Sequence, residues 1–235
     1  LKPSGIASMI YSQAFVEGRP IHSLYSFRYA GLDETGDILW AHADGSTTKT
    51  SPKSFAVEDA VYSGAIDPKI TLGFENEWKY KGFSLSAMFV YYGGHKMRAE
   101  QWNNCGLSYL GYGYTGALPK YMLNGWSPDN STSEIPGNGP YAPASGTYDS
   151  MVYADRFIED ADFIKLRNVT LGYTFPKNIC NKLRLSGLKL RVQGNNLWTW
   201  TKNSLDIDPE ANNPFTGKKS LKQAPSCTFS LNINF

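Results

Sequence analysis

The residues Cys227-Thr-Phe-Ser-Leu-Asn-Ile-Asn-Phe235 alternate without a break between apolar and polar. Cys227, Phe229, Leu231, Ile233 and Phe235 share one side, and Thr228, Ser230, Asn232 and Asn234 share the other. Strand side chains alternate with period two, so this stretch reads as one two-faced strand. Its length matches the ~9–11 residues with which a tilted strand crosses the hydrocarbon layer of a bilayer. A soluble sandwich can also end on such a strand, so the other segments must decide.

Several of them repeat the pattern. Ile70, Leu72, Phe74, Trp78 and Tyr80 face one way, with Asn76 the polar exception, against Thr71, Gly73, Glu75, Glu77 and Lys79. Lys81-Gly82 then makes a tight turn into Phe83, Leu85, Ala87, Phe89 and Tyr91, opposed by Ser84, Ser86, Met88 and Val90. That is a hairpin by turn chemistry and by pattern. Leu188, Leu190, Val192, Trp198 and Trp200 oppose Lys189, Arg191, Gln193, Asn195 and Thr199. Tyr25, Phe27 and Tyr29 alternate with Leu24, Ser26 and Arg28, and residues 6–16 are a weaker strand candidate. Around residues 163–176, Val169, Leu171, Tyr173 and Phe175 share a face with Lys165 and Arg167. Either those charges lie beyond the membrane rim, or a bulge near Asn168 switches faces. Aromatic residues gather at strand ends (Trp78 with Tyr80, Tyr91 with Tyr92, Trp198 with Trp200), as girdles at a headgroup layer or as cross-strand pairs in a soluble sheet.

The connections alternate in size. The turn at Lys81-Gly82 is short, those at 177–187 and 17–20 are moderate, and the long segments are 32–68, 93–162 and 202–225. Short turns on one side and long loops on the other are the outer-membrane barrel pattern. With Phe235 at the periplasmic rim, all three long segments fall outside the cell. No window approaches 18 uncharged apolar residues, which rules out a membrane-spanning helix but not a barrel. A net charge of +2 gives no electrostatic case for nucleic acid. Cys105, Cys180 and Cys227 form neither a disulfide framework nor a metal motif. The chain starts at Leu1 without a signal segment, and we expect it to be part of something longer.

Longer motifs carry a family likeness. Residues 156–176 (Arg-Phe-Ile-Glu-Asp-Ala-Asp-Phe-Ile-Lys-Leu-Arg-Asn-Val-Thr-Leu-Gly-Tyr-Thr-Phe-Pro), residues 192–201 (Val-Gln-Gly-Asn-Asn-Leu-Trp-Thr-Trp-Thr) and residues 205–210 (Leu-Asp-Ile-Asp-Pro-Glu) resemble the late-barrel signature of SusC/RagA-type TonB-dependent transporters. Residues 17–33, 36–40, 63–74 and 80–85 resemble the preceding blocks in order, and Trp126-Ser-Pro128 sits where members carry a Trp-x-Pro. His22 and most of residues 93–161 depart from the pattern. The resemblance implies an all-β fold: about the last six or seven strands of an antiparallel transmembrane barrel of about 22 strands, with long extracellular loops. It implies an integral outer-membrane location and import of an oligosaccharide or peptide. The implied partners are the remainder of the transporter (other barrel strands and an N-terminal plug, absent from residues 1–235), TonB through that missing part, a SusD-like surface lipoprotein and outer-membrane lipid. It also makes Phe229, Leu231, Ile233 and Phe235 the C-terminal barrel-assembly signal. So few strands leave two unpaired edges in lipid, so the chain should not insert alone.

In the longest loop, Trp102, Tyr109, Tyr112, Tyr114, Tyr121 and Trp126 are candidates for substrate or partner contact, since aromatic faces stack on sugars and peptide side chains; packing of the loop on itself is the plainer alternative. Glu75, Glu77, Lys79, Lys189, Arg191 and Gln193 read as polar lumen wall. Asp206, Asp208 and Glu210 offer oxygen ligands for a hard cation, but the spacing favours a solvated acidic loop. His22, His42 and His95 are isolated, and no catalytic motif, cofactor or metal site is expected. The rival from another class is a soluble β-sandwich carbohydrate-binding module; an independent small barrel adhesin is a third reading.

Overall fold

The alternating segments fold as strands, which divide by length. The computed structural model describes residues 5–12, 15–99, 124–137, 139–143 and 148–235. The short strands are β1 (Ser23–Ser26), β2 (Tyr29–Leu32), β3 (Ile38–Ala41), β4 (Thr47–Thr48), β5 (Val61–Ala65), β8 (Lys96–Arg98) and β9 (Ile158–Asp160). The long ones are β6 (Ile70–Tyr80), β7 (Phe83–Gly93), β10 (Phe163–Thr174), β11 (Gly187–Thr201) and β12 (Ser226–Asn234). Short helices are α1 (Ile6–Tyr11), α2 (Tyr148–Met151) and α3 (Lys177–Lys182). Two compact units result. One comprises Pro68–Gly94, Ala161–Ala211 and Ser220–Phe235 and holds every long strand; the other comprises Leu1–Asp67, His95–Asp160 and Asn212–Lys219.

In the first unit the long strands form one antiparallel sheet in the order β12-β11-β10-β7-β6. The β6–β7 hairpin turns on Lys81 (φ 45°) and Gly82 (φ 88°). Two consecutive positive φ angles make the two-residue turn whose twist matches the strands. Only glycine fits at the second position, because a Cβ on Gly82 would meet the Thr174 carbonyl at 2.8 Å. Pro176, with its fixed φ, starts α3 in the β10–β11 link. Arg184 (φ 56°) reverses the chain after it, and the Leu185 N–H donates to the Cys180 carbonyl at 2.9 Å. Both links and Phe235 lie at one end of the sheet; the β7–β10 and β11–β12 connections leave from the other.

The ambiguity in β10 resolves as a bulge. Leu166 pairs with Phe89 and Asn168 with Met88, so Arg167 is the extra residue and the faces switch there. Lys165 therefore stands on the polar side with Asn168 and Thr170, while Ile164 and Leu166 join the apolar side of Val169 and Leu171.

The second unit has its own core of Ile6, Met9, Ile10, Tyr25, Phe27, Ile38, Trp40, Met151, Ala154 and Phe157. Its pairings are β1-β5, β2-β3-β4 and β8-β9. Two strand expectations are corrected here, leaving five barrel-length strands among the described residues where six or seven were anticipated. Residues 6–11 form helix α1, because Ile6, Met9 and Ile10 recur at helical spacing and bury one face. The segment around Tyr25 and Phe27 is strand β1 only to Ser26, and it is buried on both faces, which a lipid-facing strand cannot be.

Arg98 ties this unit together. It is fully buried, and its guanidinium donates to the carbonyls of Tyr25 (2.9 Å), Val152 (3.2 Å) and Phe215 (3.1 Å). Its Cζ lies 4.9 Å from the Tyr153 ring centroid. Burial pushes its pKa down to about 10, which leaves it charged at neutral pH. A lysine ammonium has no planar fork to reach three carbonyls in three directions. Arg98→Lys is expected to cost about 1–3 kcal/mol through orphaned acceptors. Limited proteolysis of the full-length protein should then cut near Phe215 roughly tenfold faster, while the long strands stay protected.

Candidate functional site

The register of the long strands sorts every side chain to one of two faces. On one lie Leu72, Phe74, Trp78, Tyr80, Phe83, Leu85, Leu171, Leu190, Trp198, Trp200, Phe229, Leu231 and Ile233, all exposed. Phe229 is 73% exposed and Phe74 58%, so this is not the trimmed surface of a water-soluble sheet. Continuous apolar faces of this extent mark a membrane or another partner. A soluble sandwich would cover it with a second sheet, and among the described residues none packs there. Phe229, Leu231 and Ile233 stand on this face of β12, with Phe235 just beyond it. Strands β6 and β7 are 11 residues each. That is ~37 Å of strand, or ~28 Å across a membrane at the tilt of about 40° found in barrels.

The opposite face is a polar wall. One row across it reads Glu77, Ser86, Thr170, Gln193, Thr228, and the next reads Lys79, Ser84, Gly172, Arg191, Ser230. Gln193 donates to Asn195 (2.8 Å), Asn195 to Ser226 (3.2 Å), and Lys79 pairs with Glu77 at 2.8 Å. Hydroxyls, amides and charges on one side and rings on the other are the two faces of a barrel strand with a wet lumen.

At the end of the sheet with the long connections, the β11–β12 connection folds against the polar wall. Lys165, 2% exposed, donates to Asp208 (3.3 Å) and Glu210 (2.5 Å). Arg167 adds a bidentate pair to Glu210, with Nη1 2.8 Å from Oε2 and Nη2 on Oε1. Asn203 shapes the loop by donating to the Ile207 carbonyl and accepting from the Ile207 N–H, both at 2.8 Å. Burial pushes the Glu210 carboxyl up, but Arg167 and Lys165 more than offset it and hold the pKa below its usual 4.5. The solvated acidic loop expected from sequence is thus corrected: Asp208 is buried and both of these acids are neutralised by β10. No group of three metal-ligating residues occurs among the described residues. The signal that pointed here was the pair of cations on the apolar parity of β10.

Among the aromatic candidates, Trp126 packs inside its own unit. Its ring covers Gly36, where a Cβ would meet it at 2.5 Å, and it stands edge-on to Tyr141 at 6.3 Å between centroids. Trp102, Tyr109, Tyr112, Tyr114 and Tyr121 lie outside the described residues.

No family model matches the chain. Among curated proteins it is 28% identical over 217 residues to TonB-dependent receptor P3 of Formosa agariphila, covering 86% of this chain and 20% of that protein. It is 31% identical over 163 residues to TonB-dependent receptor P26 of the same organism, covering 67% of this chain and 15% of that one. Among solved structures it matches the RagAB peptide transporter with a TM-score of 0.69 at 27% identity, over 91% of this chain and 23% of that chain. The chain belongs to the SusC/RagA-type TonB-dependent transporters. The same RagAB importer in its closed-closed state matches with a TM-score of 0.68. The chain spans 20% of the length of the first of these curated relatives. Its two-faced sheet is a segment of a transmembrane antiparallel β-barrel, seen without closure.

Proposed function

We propose that the chain supplies wall strands and extracellular loops to an integral outer-membrane importer that takes up oligosaccharide or peptide, energised by TonB through a part of the protein outside this chain. The observation that carries the reading is the sheet itself, with an exposed apolar face of membrane-crossing length backed by a polar wall. The similarity to a RagAB peptide transporter favours peptide, and it favours a SusD-like lipoprotein as the partner of the extracellular loops. The relatives are named as receptors and transporters, which supports a non-enzymatic role. Phe229, Leu231, Ile233 and Phe235 are read as the assembly signal, and the aromatic residues of the longest loop as lipoprotein or substrate contacts.

The test is uptake in a strain lacking the full-length gene. Labelled oligopeptides and oligosaccharides are supplied separately, with and without TonB. Loss of TonB-dependent uptake of one class, with a lipoprotein co-purifying with the tagged protein, is the expected result. Recovery of the full-length protein in the soluble fraction without detergent would overturn the reading.

A further inference from the structure

The short links at one end of the sheet, residues 81–82 and 175–186, carry cations and no acids. Between Asp162 and Asp206 the chain contains no Asp or Glu, yet near this end it contains Lys177, Lys182, Arg184, Lys189 and Arg191. Lys81 adds a sixth in the β6–β7 turn, with its Nζ 5.1 Å from the Tyr80 ring centroid. Lys81, Lys177, Lys182 and Arg184 are all exposed, and none pairs with a carboxylate among the described residues. At the other end the charges cancel: Asp208 and Glu210 hold Lys165 and Arg167, and Asp162 lies 3.7 Å from Lys202.

Apolar side chains stand exposed among the same cations. Tyr80 and Phe83 end the apolar face, and Ile179 and Leu183, one helical turn apart in and just after α3, are 37% and 56% exposed. Side chains of both kinds at the margin of a lipid-facing surface suit the headgroup layer. There ammonium groups meet phosphodiester oxygens while rings and alkyl chains enter the acyl boundary. A guanidinium such as that of Arg184 also grips phosphate with two parallel hydrogen bonds.

We propose that this rim docks the anionic phospholipid headgroups of the adjoining leaflet, through Lys81, Lys177, Lys182 and Arg184, with Tyr80, Phe83, Ile179 and Leu183 as apolar anchors. The inference rests on the barrel reading above. A soluble polyanion would use the cations alone; the exposed Ile179 and Leu183 and the continuity with the lipid-facing sheet favour a lipid surface.

The test uses the full-length transporter, delipidated in detergent and confirmed as folded by heat-shifted gel mobility. It is titrated with phosphatidylglycerol and with phosphatidylethanolamine, and bound lipid is counted by native mass spectrometry. Retention should favour phosphatidylglycerol by roughly tenfold. The variant K81Q/K177Q/K182Q/R184Q should reduce that preference to within about twofold, and I179S/L183S should lower retention of both lipids. An indifferent wild type, a preference kept by the four-site variant, or equal displacement by soluble glycerol phosphate would overturn the lipid surface. Failure in a heat-modifiable protein sinks this inference alone, whereas a protein that never attains the heat-modifiable state sinks the barrel reading.

Discussion

Val169→Arg in the full-length transporter is expected to destabilise the membrane-folded state by about 2–4 kcal/mol, the cost of a cation on the lipid face near mid-bilayer. Thr170→Arg, one residue on, is expected to cost less than about 1 kcal/mol, because a lumen-side cation stays in water. The contrast follows from register. Val169 lies midway along β10 between Ala87 and Gly194, neighbours too small to shield a charge, whereas Thr170 lies between Ser86 and Gln193 on the polar wall. Denaturant unfolding in phosphatidylcholine bilayers, followed by heat-shifted mobility, measures both. Equal costs for the two variants, or the reverse order, would mean that the apolar face does not meet lipid.

The wall was readable because its strands other than β10 repeat a period-two pattern long enough to stand out from chance. Cys227–Phe235, residues 70–80 and residues 83–91 are strands with the faces that their alternation implies. The Lys81-Gly82 turn was equally plain, since a glycine at a position needing positive φ is a local requirement. The second unit was not readable, because its strands run only two to five residues, too short for an alternation to stand out, and β1 is buried on both sides. Leu24 and Tyr25 in β1 are both inside, so the alternation of Tyr25, Phe27 and Tyr29 mimicked a membrane strand without being one. Ile6, Met9 and Ile10 supported a helix all along, but six residues are too few to separate a helical period from a strand period by pattern alone. The partners of Arg98 are main-chain carbonyls, which leave no trace in residue identities. Only Lys165 and Arg167 flagged a hidden interaction, as charges out of place in an apolar alternation.

That interaction supports the other large effect. Lys165→Met is expected to loosen the loop that contains Asp208 by about 3–5 kcal/mol, since removing one member of a buried pair strands the other. Asp208 is only 5% exposed, and its other oxygen accepts the Glu210 N–H at 3.0 Å, so it has no ready escape to water. Hydrogen exchange at the Ile207 and Glu210 amides of the full-length protein should accelerate by roughly two to three orders of magnitude. The double variant K165M/D208N should recover most of the loss. Asparagine keeps the acceptor for the Glu210 N–H, carries no charge to strand, and leaves Glu210 paired with Arg167. Acid should act in the same direction as the single variant. Glu210 has a depressed pKa, so its contribution is complete above its ordinary value of 4.5 and is lost as pH falls through the lower folded value. Glu210→Gln should remove that part of the acid dependence. If exchange in this loop is unchanged by Lys165→Met, the buried pairs do not hold the β11–β12 connection to the lumen side of β10, and the loop must be held by the Asn203 hydrogen bonds alone.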